Sequence, residues 1–213
     1  SHWKWRMFHS SITLADKARE LIAAGEKFDL LFCGGMVNLA EFRTFAPVEI
    51  SSLPAVLYVH ENQMAYPLQP GAKQDYRFGL IQLASALAAE RVWFNSEHNR
   101  TTMLDGLAAW LKTLPPAGME EKLPLVRDRS EIVYPGVTLP DVADRPAQPG
   151  PLHILWAHRW EYDKQPAVLL EALRELRGRG VAFRLSVIGE QFSASPPEFE
   201  IIRAEFADEI VRW

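Results

Sequence analysis

The stretch that decides the fold is His153–Pro166, HILWAHRWEYDKQP. Its apolar run Ile154-Leu155-Trp156-Ala157 reads as a buried β-strand that passes directly into a charged loop, His158–Lys164. A helix is expected from Gln165 onward, where apolar residues return at helical spacing. In an open α/β sheet, ligands sit at the carboxyl ends of the strands, where such loops converge. Arg159 and Lys164 fall at that end, next to a helix N-terminus whose amides and dipole favour phosphate. The pattern therefore predicts a site for a phosphorylated ligand.

Working outward, short apolar runs alternate with amphipathic ones along the whole chain. Leu14, Ala18, Leu21 and Ile22 have helical spacing, and Gly25 supplies a stop. Phe28–Cys33 reads as a buried strand ending in Gly34-Gly35, and Pro54–Val59 as a second ending in His60-Glu61-Asn62. Asp75–Glu90 reads as a helix with Phe78, Ile81, Leu83, Ala84 and Leu87 on its apolar positions. Arg91–Phe94 is a strand ending at Asn95-Ser96, and Ser96 can cap the helix that carries Met103, Leu107 and Leu111. Thr113–Ser130 reads as a loop, and Glu131–Tyr134 as a strand before Pro135-Gly136-Val137. Beyond the opening stretch, Gln165–Arg177 is an expected helix and Ala182–Ile188 a strand ending at Gly189. Phe199, Ile202 and Phe206 mark a further helix, and Glu209–Trp213 a further strand. This alternation means βαβ units and a mainly parallel sheet. Leu139–Pro151, LPDVADRPAQPGP, has four prolines and almost nothing apolar, so it reads as a linker. The expected architecture is α/β, with Rossmann-like domains at 1–138 and 152–213 joined by residues 139–151.

Composition narrows the function. With 213 residues, 48% of them hydrophobic, the chain can bury one large core or two modest ones. Its net charge of −4 gives no global basic field, so any nucleic-acid contact must come from a local patch. The single cysteine, Cys33, excludes an internal disulfide framework and fits a reducing compartment. It follows an apolar run, as a buried structural thiol does more often than a nucleophile. No apolar run approaches the roughly 18 residues of a membrane span, and the N-terminus lacks a signal-peptide pattern. A soluble, cytoplasmic protein is expected. The six histidines are scattered without H-E-x-x-H spacing, so no metal site is expected. The chain has no G-x-S-x-G, P-loop or G-x-G-x-x-G, which argues against hydrolase, ATPase and dehydrogenase readings.

Two sheet domains and a proline-rich linker are expected to form a cleft. The strand-end residues would face it: Gly34-Gly35, His60-Glu61, Asn95-Ser96, Pro135-Gly136-Val137, then Arg159, Lys164 and Gly189-Glu190. This layout is similar to the GT-B glycosyltransferase fold. The Arg159-x4-Lys164 loop resembles the R-x4-K loop that binds the nucleotide diphosphate in glycosyltransferase family four, and Pro135-Gly136-Val137 resembles that family's turn before the second domain. Three segments narrow the match. Trp3-Lys4-Trp5-Arg6-Met7, Tyr58-x-His60-Glu61-Asn62-Gln63-x-x-Tyr66-Pro67 and Phe94-Asn95-Ser96 resemble the tRNA-queuosine α-mannosyltransferases. The resemblance implies a retaining enzyme that moves mannose from GDP-mannose onto the cyclopentenediol of queuosine in aspartate tRNA, with no further cofactor and no membrane partner. That family's glycine-rich first strand is expected before Ser1, and its acidic sugar-nucleotide segment does not appear. The chain thus resembles an internal fragment with both domains incomplete, and is expected to be inactive alone.

On this resemblance His60 and Glu61 are the candidate catalytic residues. His60 would hydrogen-bond a sugar hydroxyl or steady developing charge. The bland alternatives are a histidine that closes a strand end and a glutamate that caps a turn. Arg159 as a bidentate fork and Lys164 as a point charge would hold the donor diphosphate, with Gly189 permitting close approach. Alternatively the two cations form a solvated face and Gly189 serves a tight turn. Trp3, Lys4, Trp5 and Arg6 mix aromatics with cations, as stacking platforms for nucleic acid do, with Arg43 and Arg77 as further cations. Trp3 and Trp5 could equally pack the core, where Trp110, Trp156 and Trp213 are also expected. Asn95 and Ser96 are either acceptor ligands or a helix cap. Retaining glycosidases commonly use two carboxylates about 5–5.5 Å apart. No such pair is evident here, so the consistent mechanism is electrostatic. Two other readings stand beside it: a nucleotide- or RNA-binding protein without turnover, and a sugar-nucleotide epimerase.

Overall fold

The structure is a computed structural model of the 213-residue chain, and it describes residues 3–68, 71, 73–115, 118–139, 149–191 and 195–213, with Trp3 and Lys4 described by their backbone alone. The chain divides into two compact units, Ser1–Tyr66 with Lys73–Thr138, and Pro67–Ala72 with Leu139–Trp213. Most of the expected linker, 140–148, lies outside the described residues.

In the first unit β1 (Leu31–Gly34), β2 (Ala55–Val59), β3 (Arg91–Phe94) and β4 (Ser130–Ile132) form one sheet in that order. Every pairing is parallel, with Leu57 beside Cys33 and Val92, and Phe94 beside Ile132. Around them lie α1 (Trp3–Ala23), α2 (Leu39–Phe45), α3 (Val48–Ser51), α4 (Tyr76–Leu87), α5 (Glu97–Leu111) and α6 (Leu123–Asp128). One sheet face supplies Leu57, Val59, Val92 and Phe94 to a core shared with Leu39, Phe42, Leu83, Ala86, Met103 and Leu107. Burying each such leucine, valine or phenylalanine is worth about 1.5–3 kcal/mol. On the other face Phe32, Tyr58 and Trp93 form an aromatic row, with Phe32 ring centroids 6.1 and 6.0 Å from the other two. Phe32 is 62% exposed there, so β1 is not the fully buried strand that its apolar run implies.

Several elements differ from the sequence reading. The first helix begins at Trp3 rather than near Leu14. Its buried stripe is Met7, Ser11 and Ala15, and the Ser11 hydroxyl donates to the Asn38 carbonyl. The polar Ser11 and the small Ala15 weaken the apolar period over this half of the helix. Helices α2 and α3 are short and carry little period of their own. Asn38 starts α2 by accepting from the Glu41 amide at 3.2 Å. Residues 113–130 are not a loop throughout, because a 3₁₀ turn at Glu120–Lys122 leads into α6. Leu123 and Val126 are buried beneath it. Pro124 sits in the first turn, where a helix needs no N–H donor.

The second unit pairs β5 (Leu152–Ala157), β6 (Phe183–Ile188) and β7 (Ile210–Arg212) in that order, again parallel. Helices α7 (Pro166–Gly178) and α8 (Pro197–Glu205) cover one face. The core is Leu170, Leu173, Phe183, Leu185, Val187, Phe199, Ile202 and Phe206, with Ile154 and Trp156 packed against it. Leu155 is exposed on the other face. The opening stretch is therefore a one-sided strand, and its unbroken apolar run overstates its burial. Trp110, Trp156 and Trp213 are partly buried against the two cores, close to expectation.

Candidate active site

At the carboxyl end of the first sheet, three strand-to-helix loops are tied together by side-chain amides. After β2 the chain enters His60-Glu61-Asn62-Gln63. Asn62 is buried, and its Oδ1 accepts from the amides of Met64 at 3.1 Å and Ala65 at 2.9 Å, which folds the loop back on itself. Its Nδ2 donates to Asn99 Oδ1 at 2.8 Å and Thr102 Oγ1 at 3.0 Å on α5. Asn99 Nδ2 in turn donates to the Val59 carbonyl at 2.8 Å and to Asn95 Oδ1 at 2.8 Å. Asn95 Nδ2 donates to the His60 carbonyl at 2.7 Å. The Gln63 amide donates to Gln82 Oε1 on α4 at 2.9 Å.

Met64 anchors the same loop from the apolar side. A Cβ on Gly79 would meet Met64 Sδ at 2.5 Å, and one on Gly106 would meet Met64 Cβ at 2.9 Å. The two glycines make a slot between α4 and α5 that receives Met64, tightest in consequence at Gly106, where the neighbour is the Met64 Cβ rather than the far end of its side chain.

The outcome is that His60 is exposed with no hydrogen bond from its ring to any described residue, while its backbone is fixed. Glu61 is half-buried, and its Oε1 accepts from Gln63 Nε2 at 3.2 Å. A histidine whose ring is free and whose loop is pinned is available to a ligand. Ser96 accepts from the Asn99 amide at 3.1 Å and so caps α5, as its position implies. Asn95 is engaged with His60 and Asn99, which gives it a local role in holding the loop.

Cys33, on β1, is partly buried, and burial pushes its thiol up while Arg43 draws it partly back down. Burial outweighs the Arg43 cation, so the net push is away from the thiolate of a reactive cysteine. Arg43 itself is committed at the amino end of the sheet, donating to the Ser51 and Leu53 carbonyls and pairing with Glu90 at 3.0 Å. Arg77 pairs with Asp75 at 2.8 Å. Of the Trp3–Arg6 segment, the Trp3 and Lys4 side chains lie outside the described residues. Trp5 is 65% exposed with its ring 5.5 Å from His9, and Arg6 is exposed, so Trp5 is not a core residue.

In the second unit, pairing continues past the end of β5. His158 N donates to the Ile188 carbonyl at 3.1 Å and Trp160 N to the Glu190 carbonyl at 3.0 Å. Trp160 stacks on Phe199 at 5.1 Å and meets Trp213 edge-on at 5.4 Å. This anchor is invisible in the sequence, where Trp160 is one more residue of a charged loop. The loop then turns through a 3₁₀ segment, Tyr162–Lys164, into α7. Gln165 makes the turn with φ of 58°, a left-handed conformation that a non-glycine residue adopts only under constraint.

The two candidate phosphate ligands are each neutralised within the loop. Arg159 pairs with Glu161 at 3.3 Å, and Lys164 with Asp163 at 2.9 Å. The Asp163 side chain is only 8% exposed, and its second oxygen, Oδ1, has no hydrogen-bond partner. Burial, then Asp163 and Glu161, push the Tyr162 hydroxyl up. Gly189 lies against this loop, because a Cβ there would overlap the His158 carbonyl. The close approach is to protein backbone, and that alone accounts for the glycine. Among the described residues no cluster of three or more His, Cys, Asp or Glu could hold a metal ion, and no helix is long and apolar enough to cross a membrane.

Two parallel sheets, each followed by polar loops at the carboxyl ends of its strands, define Rossmann-like halves of the GT-B type. The profile of the family described as tRNA-queuosine α-mannosyltransferase, N-terminal, matches residues 1–137, and the chain belongs to that family. It is also 28% identical to the tRNA-queuosine α-mannosyltransferase of Drosophila melanogaster, over 99% of this chain and 57% of that protein. The chain thus spans a little over half the length of that relative. The resemblance carried by Trp3–Met7, His60–Pro67 and Phe94–Ser96 is borne out at the level of the family.

Proposed function

We propose that the protein to which this chain belongs is a retaining glycosyltransferase that moves mannose from GDP-mannose onto queuosine in aspartate tRNA, in the cytoplasm. The observation that carries this reading is family membership over residues 1–137, which include the pinned loop with its free His60 ring. When the bond between the anomeric carbon and the phosphate oxygen breaks, negative charge develops on the departing diphosphate. Arg159 and Lys164 would stabilise that charge, and His60 would orient the sugar and acceptor hydroxyls. Because Glu161 and Asp163 already neutralise the two cations, the diphosphate must compete with carboxylates of the same loop.

The test is transfer of labelled mannose from GDP-mannose to tRNA by the full-length protein. Nucleotide binding without transfer would favour a binding protein, and interconversion of the free sugar nucleotide would favour an epimerase. In the same assay His60→Ala should lower kcat at least tenfold and leave GDP affinity nearly unchanged. A lower unfolding temperature with activity recovered in the cold would instead make His60 structural.

The acceptor would meet the start of α1. Its exposed Trp5 and Arg6 can offer a stacking face and a phosphate contact, and Lys4 lies beside them in sequence. Phosphate contacts give a log–log salt slope of roughly −0.7 to −0.9 each. The double variant Lys4→Ala, Arg6→Ala should therefore weaken tRNA binding and flatten the slope by one to two such contacts. Unchanged affinity and slope would move the acceptor site elsewhere.

A further inference from the structure

We infer that Gln82 is a positioning residue for the loop that carries His60 and Glu61. Gln82 lies on α4 and is fully buried among Phe78, Leu83 and Ala86. Its amide is spent on main chain alone. Nε2 donates to the Glu61 carbonyl at 2.9 Å and to the Gly35 carbonyl at 3.4 Å, and Oε1 accepts from the Gln63 amide at 2.9 Å. One side chain thus brackets Glu61 and Asn62 from both sides and ties the loop after β2 to the loop after β1.

Burying an amide costs free energy unless its partners are all in place. An apolar residue would fill this position in the helix more cheaply, if filling it were the only requirement. What the amide adds is direction. It demands an N–H from residue 63 and carbonyls from residues 61 and 35 at fixed points, and so selects one loop conformation. Asn99 and Asn95 restrain the start of the loop through the Val59 and His60 carbonyls. Gln82 restrains the part just beyond His60. Neighbouring Ser85 repeats the arrangement one turn later, accepting from the Leu39 amide and donating to the Val37 carbonyl. The inward face of α4 therefore carries a polar pair that holds strand-end loops.

The catalytic consequence rests on the glycosyltransferase reading, whereas the positioning itself does not, and the experiment separates them. In the full-length protein Gln82→Met keeps approximate volume and removes all three hydrogen bonds. Hydrogen exchange at the Gln63 amide should accelerate at least tenfold, while the amides of β2 and β3 keep their protection. In mannosyl transfer kcat should fall at least tenfold, with KM for the nucleotide sugar within twofold of wild type, because small displacements of a reacting group cost rate more than binding. Gln82→Leu likewise removes the three hydrogen bonds with an apolar side chain of similar volume. It should accelerate Gln63 exchange and lower kcat in the same way, and it decides the matter if the methionine variant fails to fold. Wild-type kcat in either folded variant, or an exchange increase spread evenly over the sheet, would overturn the inference. If the wild-type protein transfers no sugar, the glycosyltransferase reading fails, and the local or uniform change in Gln63 exchange still decides positioning.

Discussion

Lys164→Ala is expected to cost the full-length protein both rate and stability. Lys164 is 30% exposed, but its partner Asp163 is only 8% exposed and already has one oxygen without a hydrogen bond. Removing the ammonium leaves a buried carboxylate with no counter-charge, a change that costs about 3–5 kcal/mol for a fully buried pair. Partial exposure of Lys164 lowers that to about 2–3 kcal/mol, a fall of roughly 4–12 °C in unfolding temperature at 2–4 °C per kcal/mol. Transfer should fall at least tenfold, since about 1.4 kcal/mol of lost charge stabilisation is a factor of ten. The double variant Asp163→Asn, Lys164→Ala separates the two effects. It should recover most of the stability, because no charge is left buried, and none of the rate. Thermal unfolding and initial rates on the three proteins check this. A Lys164→Ala protein that matches wild type in both would remove Lys164 from the site and Asp163 from its support.

Gly189→Ala should damage the second unit more than its single added methyl suggests. The new Cβ would overlap the carbonyl of His158 and lie 3.1 Å from Trp160 Cδ1. Neither neighbour can yield easily. The His158 backbone is held by the hydrogen bond that its amide donates to the Ile188 carbonyl, and Trp160 by its ring contacts and the hydrogen bond that its amide donates to the Glu190 carbonyl. The end of the β5–β6 pairing must therefore open, which places the cost near 3 kcal/mol, at the upper end for overpacking. Gly34→Ala is the control, because its Cβ would meet nothing within 4 Å and its φ is not positive. It should change stability by no more than about 0.5 kcal/mol. The contrast is read by thermal unfolding and by hydrogen exchange at the Trp160 amide. A Gly189→Ala protein with wild-type stability and poor GDP binding would restore nucleotide approach as the reason for this glycine.

The sequence reading and the structure part company at identifiable places. β3 and the Ser96 cap of α5 were legible to the residue, because a short β-branched and aromatic run is followed by a serine whose hydroxyl can accept from a helix amide. α1 and α6 were not. Ser11 faces inward on α1 without being apolar, and the proline of α6 looks like a breaker although it sits where helices tolerate it. The residues that hold the candidate site were missed for a related reason. Gln82, Ser85 and Asn99 are polar residues on helices, which the apolar period passes over. The available signal was the interruption itself: Gln82 and Ser85 lie three apart on a helix otherwise rich in apolar residues.

Alternating apolar runs and their turn residues determined the class of fold, two parallel α/β units, because period and chain polarity are local properties written in adjacent residues. The family was also legible, in His60–Pro67 and the segments around it. Which polar groups meet is not local. The amide of Gln82 reaches residues 21 and 47 positions away, and Gly189 is required by a carbonyl 31 positions earlier. Only the tertiary structure decided that Trp160 is an anchor, that Asp163 is buried beside Lys164, and that His60 is held by its backbone with its ring left free. Hydrogen bonds and close packing act at distances of a few ångströms, and the folded chain alone brings those atoms within that range.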